Sequence, residues 1–172
     1  MKLRNIAPLA AFLMGACTSA PPPETLKNLY EVESAARQMK PQPEMALLYL
    51  VSTESTNKAD EVSLRINGEM SMKKGFFEGQ FYVFCLPAGK YDITYRADLL
   101  SPNKQEFLTA EAGGIYVRDF SQHVFALPPF IFLSSSTLKE RDLKVAKELI
   151  AAKRIGSEPE YIDSRYRCRS LN

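Results

Sequence analysis

The middle of this 172-residue chain alternates short apolar segments with closely spaced turn residues. The turn signals are Asn67-Gly68, the Pro-Ala-Gly run at residues 87–89, and Gly113-Gly114. Asn-Gly is the strongest short signal for a β-hairpin, and short apolar segments separated by turns are typical of strands. The pattern predicts a mainly β domain over residues 44–135, folded as an antiparallel β-sandwich of the prealbumin or immunoglobulin type.

Three segments predict particular positions in this sandwich. Residues 45–51 are almost continuously apolar, which predicts a central strand that is buried on both faces. Residues 61–67 alternate between apolar and polar side chains, so they predict a hairpin whose second strand begins near Met70. Residues 124–133 are interrupted by Pro128-Pro129, which cannot lie in a central ladder and indicate either two short strands or a kinked edge strand.

The remaining β segments predict two further hairpins. Residues 81–86 and 91–96 flank the turn at residues 87–90. Residues 106–111 and 115–120 flank the Gly-Gly turn in the same manner. Because a short turn usually joins neighbouring antiparallel strands, we expect each pair to lie side by side in one sheet.

One helix is predicted on each side of the sandwich, an N-terminal helix over residues 24–40 and a C-terminal helix over residues 137–155. The first has apolar side chains at helical spacing and is followed by prolines that stop it. The second begins with Thr137 and Glu140, which fit a capping box. Its polar face has more basic than acidic residues, which suits either a membrane or partner contact or an ordinary solvent-exposed face. Residues 156–172 are expected to form an irregular tail.

The N-terminal residues have the layout of a secretory signal. Lys2 and Arg4 precede an uncharged apolar run, residues 6–16, which is shorter than the about 20 residues that a membrane-spanning helix needs. The Leu-Met-Gly-Ala-Cys sequence at residues 13–17 resembles a bacterial lipobox, with Met where Leu is commonest. In that class of protein the cysteine is acylated and becomes the first residue after cleavage. The alternative is an ordinary secreted protein that is cleaved near Ala20.

The lipobox resemblance implies a signal peptide over residues 1–16, lipidation at Cys17 and a proline-rich tether over residues 17–23. Two or three acyl chains would hold the protein at the membrane durably, because each buried methylene contributes about 0.8 kcal/mol. In such lipoproteins an Asp after the cysteine favours the inner membrane. Thr18 in that position therefore implies the periplasmic face of the outer membrane.

Removal of the signal would also change the charge of the protein. The chain has 22 Lys and Arg against 20 Asp and Glu, and Lys2 and Arg4 belong to the signal, so 22 minus 2 leaves 20 basic against 20 acidic residues. Nucleic-acid binding requires a concentrated basic surface, and we do not expect it here.

Few residues suggest catalytic chemistry. His123 is the single histidine, and Asp119 and Ser121 lie near it in the sequence. In a strand these three residues form a row on one face, and no glycine-rich oxyanion segment accompanies them, so a surface histidine is favoured over a catalytic base. One histidine and no close cysteine pair cannot supply a zinc site, and no glycine-rich phosphate loop is present. We therefore expect no enzyme activity, no metal and no cofactor.

Two cysteines remain once Cys17 is assigned to the lipid anchor. Cys85 and Cys168 would face an oxidising compartment, which favours a disulfide between them. Such a bridge would attach the C-terminal tail to the sheet. The alternative is two separate thiols, one buried at Cys85 and one exposed and reactive at Cys168.

The sequence around the second turn carries a further resemblance. Residues 86–93, Leu-Pro-Ala-Gly-Lys-Tyr-Asp-Ile, resemble a recurrent signature of prealbumin-like and related extracytoplasmic β-sandwiches. Together with residues 46–50 and 112–118, they look like an uncharacterised family of bacterial lipoproteins known only as a domain of unknown function. The resemblance covers residues 44–135 and implies the fold; its motifs are turn chemistry and imply no activity.

Two classes of function fit these observations. The first is a structural or interaction module of the cell envelope, which recruits a protein partner through an edge strand or a loop. The second is a small-ligand-binding protein or an envelope enzyme with a pocket in the sandwich. Its lining would be aromatic, from Tyr49, Tyr82, Phe84 and Tyr95, although such residues more simply form a core.

Overall fold

The computed structural model describes residues 23–54, 61–75, 79–96, 102–127, 131–155 and 165–168. These residues form nine strands and two helices. In chain order they are α1 (Pro23–Gln38), β1 (Met45–Glu54), β2 (Glu61–Ile66), β3 (Glu69–Gly75), β4 (Gln80–Pro87), β5 (Gly89–Arg96), β6 (Lys104–Ala110), β7 (Ile115–Leu127), β8 (Ile131–Glu140), α2 (Leu143–Ala151) and β9 (Arg154–Ile155).

The strands form two sheets, which confirms the predicted mainly β sandwich. The five-stranded sheet has the order β8-β7-β1-β4-β9, and the four-stranded sheet has the order β3-β2-β5-β6. The four-stranded sheet is antiparallel, as predicted. The five-stranded sheet is mixed, because β1 runs parallel to β7 and β4 runs parallel to β9.

Strand β1 lies at the centre of the five-stranded sheet, as its apolar sequence predicts. Leu48 and Leu50 face the interior of the sandwich and belong to the core between the two sheets. Leu47, Tyr49 and Val51 point to the opposite face and belong to a second core that includes residues of both helices. Since neighbouring side chains of a strand point to opposite faces, only a sheet covered on both sides can accommodate this sequence.

The Asn67-Gly68 turn joins β2 to β3, which confirms the predicted hairpin. Both residues have positive φ, 53° at Asn67 and 77° at Gly68, as the tight turn of a two-residue hairpin requires.

The other two predicted hairpins are wrong, because their strands lie in different sheets. Strand β4 belongs to the five-stranded sheet and β5 to the four-stranded sheet, and the chain likewise crosses between sheets from β6 to β7. The physical reason is the burial that each strand needs. All of β4 between its two end residues is buried, whereas β5 buries alternate residues and leaves the others partly exposed. The two strands therefore suit different sheets, one covered on both faces and one covered on a single face.

Strands β7 and β8 form one long antiparallel hairpin, and the two prolines at 128 and 129 lie between them. The chain therefore forms two strands here, as the first alternative predicts, but they are 13 and 10 residues long rather than short. Strand β8 continues to Glu140, so the predicted capping box at Thr137 is wrong: Thr137 pairs with Ser121 in the sheet.

Helix α2 is consequently shorter than the predicted 137–155. It begins after Asp142, whose carboxylate accepts a hydrogen bond from the Val145 N–H at 3.0 Å. An aspartate satisfies a free N–H at a helix start as well as the threonine of a capping box would. Helix α1 spans 23–38 rather than 24–40, so both helices exist but end earlier than their sequences predict.

Both helices pack on the outer face of the five-stranded sheet. The Arg37 guanidinium in α1 donates hydrogen bonds to the Ile150 and Ala151 carbonyls at 3.0 and 2.7 Å, which satisfies the free carbonyl end of α2. The Tyr49 hydroxyl on β1 donates to the Ala36 carbonyl at 2.8 Å and so ties α1 to the sheet. Neither described helix is long and apolar enough to cross a membrane.

Candidate functional site

Cys17, the predicted lipidation site, lies outside the described residues, as do the whole predicted signal and the tether up to residue 22. The two other cysteines are described. Cys85 on β4 and Cys168 in the tail form a disulfide with 5.1 Å between their Cα atoms, which confirms the predicted pairing. Both cysteines are buried, so the alternative of an exposed thiol at Cys168 is wrong.

The disulfide holds residues 165–168 of the tail against β4. The Cys85 N–H donates a hydrogen bond to the Tyr166 carbonyl at 3.0 Å, and Arg167 pairs with Phe84 as an isolated bridge. The Tyr166 ring packs edge-on against Tyr91 of the four-stranded sheet, with 6.4 Å between ring centroids. The tail therefore closes one side of the sandwich.

The residues considered for a catalytic triad do not converge. The Asp119 carboxylate accepts two hydrogen bonds from Arg141, at 2.9 and 2.6 Å, and the Ser121 hydroxyl lies 2.6 Å from that of Thr137. His123 is exposed. Asp119 and His123 are four residues apart on β7, about 13 Å along the strand, which is beyond hydrogen-bonding reach.

A row of polar contacts joins β6 to the opposite sheet. The Arg118 guanidinium, only 6% exposed, lies between the sheets and contacts Glu106 of β6 at 2.5 Å and Glu140 of β8 at 3.5 Å. The Lys104 ammonium donates to the Ser135 hydroxyl at 3.4 Å. Because a buried charge is costly without a partner, these contacts fix β6 above the five-stranded sheet.

The aromatic side chains that were considered for a pocket are packed into the cores instead. Tyr82, Phe84 and Tyr95 are buried between the sheets, and Tyr49 is buried on the opposite face of β1, beneath the helices. Burial raises the pKa of Tyr82 to about 12. It also raises the pKa values of Tyr49 and Tyr95. These four side chains are therefore part of the two cores.

A large apolar side chain is exposed to solvent on the outer face of the four-stranded sheet. Phe107 of β6 is 76% exposed, the most exposed large apolar residue of the described chain. It borders an open concavity of about 520 Å³. The concavity is lined by Asn67, Lys90, Tyr91, Asp92, Phe107, Leu108 and Thr109.

Hydrogen bonds at this face also fix the direction of the β6 backbone. The Asp92 N–H donates to Asn67 Oδ1 at 2.9 Å, and the Asp92 carbonyl accepts from the Asn67 N–H at 2.8 Å. Both backbone groups of Asp92 therefore point toward β2 and away from β6. Phe107 is the residue opposite Asp92, so the two form a non-hydrogen-bonded pair, in which the Phe107 N–H and C=O point away from β5.

Backbone direction alternates along a strand, so Gln105 and Thr109 also point their N–H and C=O groups away from β5. β6 is the last strand of its sheet, and no described strand pairs with this side of it. We call these three residues, Gln105, Phe107 and Thr109, the β6 edge. Their side chains share the exposed outer face of the sheet, and none of them is charged.

The sequence analysis did not identify the β6 edge, although the alternation of apolar and polar residues in β6 indicates which side chains face solvent. Leu108 and Ala110 are two residues apart and share the buried face, which places Phe107 on the opposite face with two polar residues. The alternation of the strand therefore predicts an aromatic side chain in solvent at position 107.

The comparisons give no relative from which function could be transferred. Neither protein-family models nor curated protein sequences match the chain. Among the described residues, no group of three or more His, Cys, Asp or Glu side chains could hold a metal ion.

Proposed function

We propose that the chain is a lipid-anchored lipoprotein, held at the periplasmic face of the outer membrane through Cys17. It acts there as a structural or protein-interaction module of the cell envelope. The lipobox-like residues before Cys17 support the anchor. The disulfide between Cys85 and Cys168 supports an extracytoplasmic location, because such bonds persist in oxidising compartments.

The exposed β6 edge is the observation that carries the interaction function. Natural edge strands are usually protected by charged side chains, proline, bulges or a covering segment. The two charged residues of β6, Lys104 and Glu106, are engaged on its inner face with Ser135 and Arg118. The β6 edge has no charged residue and no proline, and it presents an aromatic side chain that is 76% exposed. Free backbone groups next to an apolar anchor are what strand addition requires, because the backbone supplies the hydrogen bonds and the side chain supplies specificity.

Photo-crosslinking in intact cells tests this function. Phe107 is replaced by a photoreactive phenylalanine analogue, and the matched control carries the same analogue in place of Lys147, an exposed residue of α2. We expect a discrete crosslinked product from position 107 and none from position 147. The same product from both positions, or no product from position 107, would contradict an interaction at the β6 edge.

The concavity beside Phe107 favours a second candidate function, small-ligand binding. Its volume of about 520 Å³ lies within the range of ligand sites, roughly 300–1,000 Å³. Asp92 and Asn67 supply polar groups next to the Phe107 ring. Native mass spectrometry of the protein purified from cells tests this candidate. A bound small molecule that is lost in the Phe107→Thr variant would support it, and a mass without any addition would count against it.

A further inference from the structure

We infer that the partner of the β6 edge is a second copy of this chain. Two β6 strands pair antiparallel about a two-fold axis at Phe107, which joins the two four-stranded sheets into one continuous sheet. The inference rests on the proposed interaction function and names the partner of the same surface.

The first step is the position of Phe107 within its strand. It is the middle residue of Lys104–Ala110, so an axis at this residue pairs the strand over its whole length. An axis at Gln105 or Thr109 would leave most of the strand unpaired. An axis at Glu106 would set two carboxylates directly opposite each other, and an axis at Leu108 would leave residues 104 and 105 without a partner in the strand.

The second step is the backbone hydrogen bonding. Phe107 directs both its N–H and its C=O outward, so on the axis it exchanges both bonds with Phe107 of the second copy. Gln105 then exchanges both bonds with Thr109 of the second copy, and Thr109 with Gln105. Every outward backbone group of the β6 edge is thereby paired.

The third step is the side-chain register. On the outer face, Phe107 opposes itself and Gln105 opposes Thr109, and aromatic pairs and polar pairs both stabilise neighbouring strands. On the inner face, Lys104 opposes Ala110 and Glu106 opposes Leu108. No residue lies directly opposite a like charge, and the two Glu106 carboxylates, which are diagonal neighbours across the axis, are each paired with Arg118 of their own copy.

The fourth step is the strength of the contact. One pair of short strands buries less surface than the about 1,600 Å² of a standard interface, so the contact is reversible in free solution. Two copies that are anchored in the same membrane share a thin layer, which raises their effective concentration and favours pairing. We therefore expect the dimer to form in membranes from an amount of protein that is largely monomeric in dilute detergent.

Crosslinking of cysteine variants in native membranes tests both the partner and the register. The full chain with Phe107→Cys is treated with a bifunctional thiol reagent of about 5 Å span, which matches the separation of directly opposed Cβ atoms. We expect a dimer. The matched control is Gln105→Cys, on the same face of the same strand, whose two copies lie about 13 Å apart and should not be linked.

A second variant tests the same register without a change at Phe107. The double variant Gln105→Cys with Thr109→Cys places a cysteine opposite a cysteine again, so the dimer should return. Adding Phe107→Thr, which retains a strand-forming residue, should lower that yield several-fold. The parent chain is treated in the same way, and any dimer that it forms measures crosslinking through its own cysteines. An intact Cys85–Cys168 disulfide in each variant shows that the variant is folded.

The possible outcomes distinguish self-association at the β6 edge from binding of a different protein there. A dimer from Gln105→Cys as abundant as that from Phe107→Cys would overturn the two-fold register. Failure of Phe107→Cys to form a dimer, while the photoreactive analogue at position 107 links the chain to a different protein, would overturn the self-association and leave the interaction function standing. Failure of both would overturn both.

Discussion

Removing the disulfide between Cys85 and Cys168 is expected to lower the free energy of unfolding by about 4.5 kcal/mol. The bond joins residues that are 83 positions apart. In the chain-entropy model, a closed loop of that length removes about 15 cal/mol/K from the unfolded state, which is about 4.5 kcal/mol at about 25 °C. The perturbation is the double variant Cys85→Ser with Cys168→Ser, which leaves no unpaired thiol at either position.

Urea unfolding of the oxidised parent chain, the reduced parent chain and the double variant measures the loss. The reduced chain and the variant should agree with each other, and both should unfold about 9–18 °C below the oxidised chain in a thermal scan, since 1 kcal/mol corresponds to roughly 2–4 °C at this size. A loss below about 1 kcal/mol would show that the disulfide does not stabilise the fold by restricting the unfolded chain. It would mean that the contacts of Tyr166 with Cys85 and Tyr91 restrain the tail without the bond.

Three further predictions concern the turn, the polar contacts and the core. Gly114→Ala should lower the denaturant midpoint, with a loss of roughly 1–3 kcal/mol, because the new Cβ would lie 2.8 Å from the Glu111 carbonyl oxygen. Glu106→Gln should cost about 1.5–3 kcal/mol in the same assay, because it removes a charged hydrogen-bond partner from the nearly buried Arg118. Arg118→Met should cost less than Glu106→Gln, because the carboxylate that it leaves unpaired is 25% exposed, whereas Glu106→Gln leaves a charge that is only 6% exposed. The pKa of Tyr82, raised by burial to about 12, means that its contribution to stability is complete below pH 10 and is lost as the pH rises from 10 to 12. Unfolding measured across this range should show the loss in the parent chain and less of it in Tyr82→Phe.

Some features of the fold follow from the sequence because local chemistry determines them. The apolar run of β1 requires burial on both faces, and the Asn67-Gly68 pair suits a turn in which both residues have positive φ. The pairing of Cys85 with Cys168 follows from the small number of cysteines and the expected compartment. Each of these predictions depends on a residue type that has few alternatives.

The assignment of strands to sheets could not be predicted from the turns. The segment between β4 and β5 has the composition of a hairpin turn, yet the chain crosses there from one sheet to the other. The burial that each strand requires gives better information, because β4 is apolar on both faces and β5 on only one. The burial patterns of β4 and β5 therefore assign the two strands to different sheets.

The start of α2 and the β6 edge were missed for a different reason. Two sites for a helix cap lie close together, at Thr137 and at Asp142, and the pairing of Thr137 with Ser121 in the sheet decides between them. The importance of Phe107 depends on which way its backbone points, and that direction is fixed by the hydrogen bonds of Asp92 with Asn67. Long-range contacts of this kind leave no local signal in the sequence, whereas the solvent-facing position of Phe107 does follow from the alternation of β6.

The intact mass of the protein purified from cell membranes shows whether Cys17 carries a lipid anchor. We predict a mature chain that begins at Cys17 and carries two or three acyl chains, together with loss of the lipid and of membrane association in a Cys17→Ala variant. A mature chain that retains residues 1–16, or that begins after Ala20 without lipid, would contradict it.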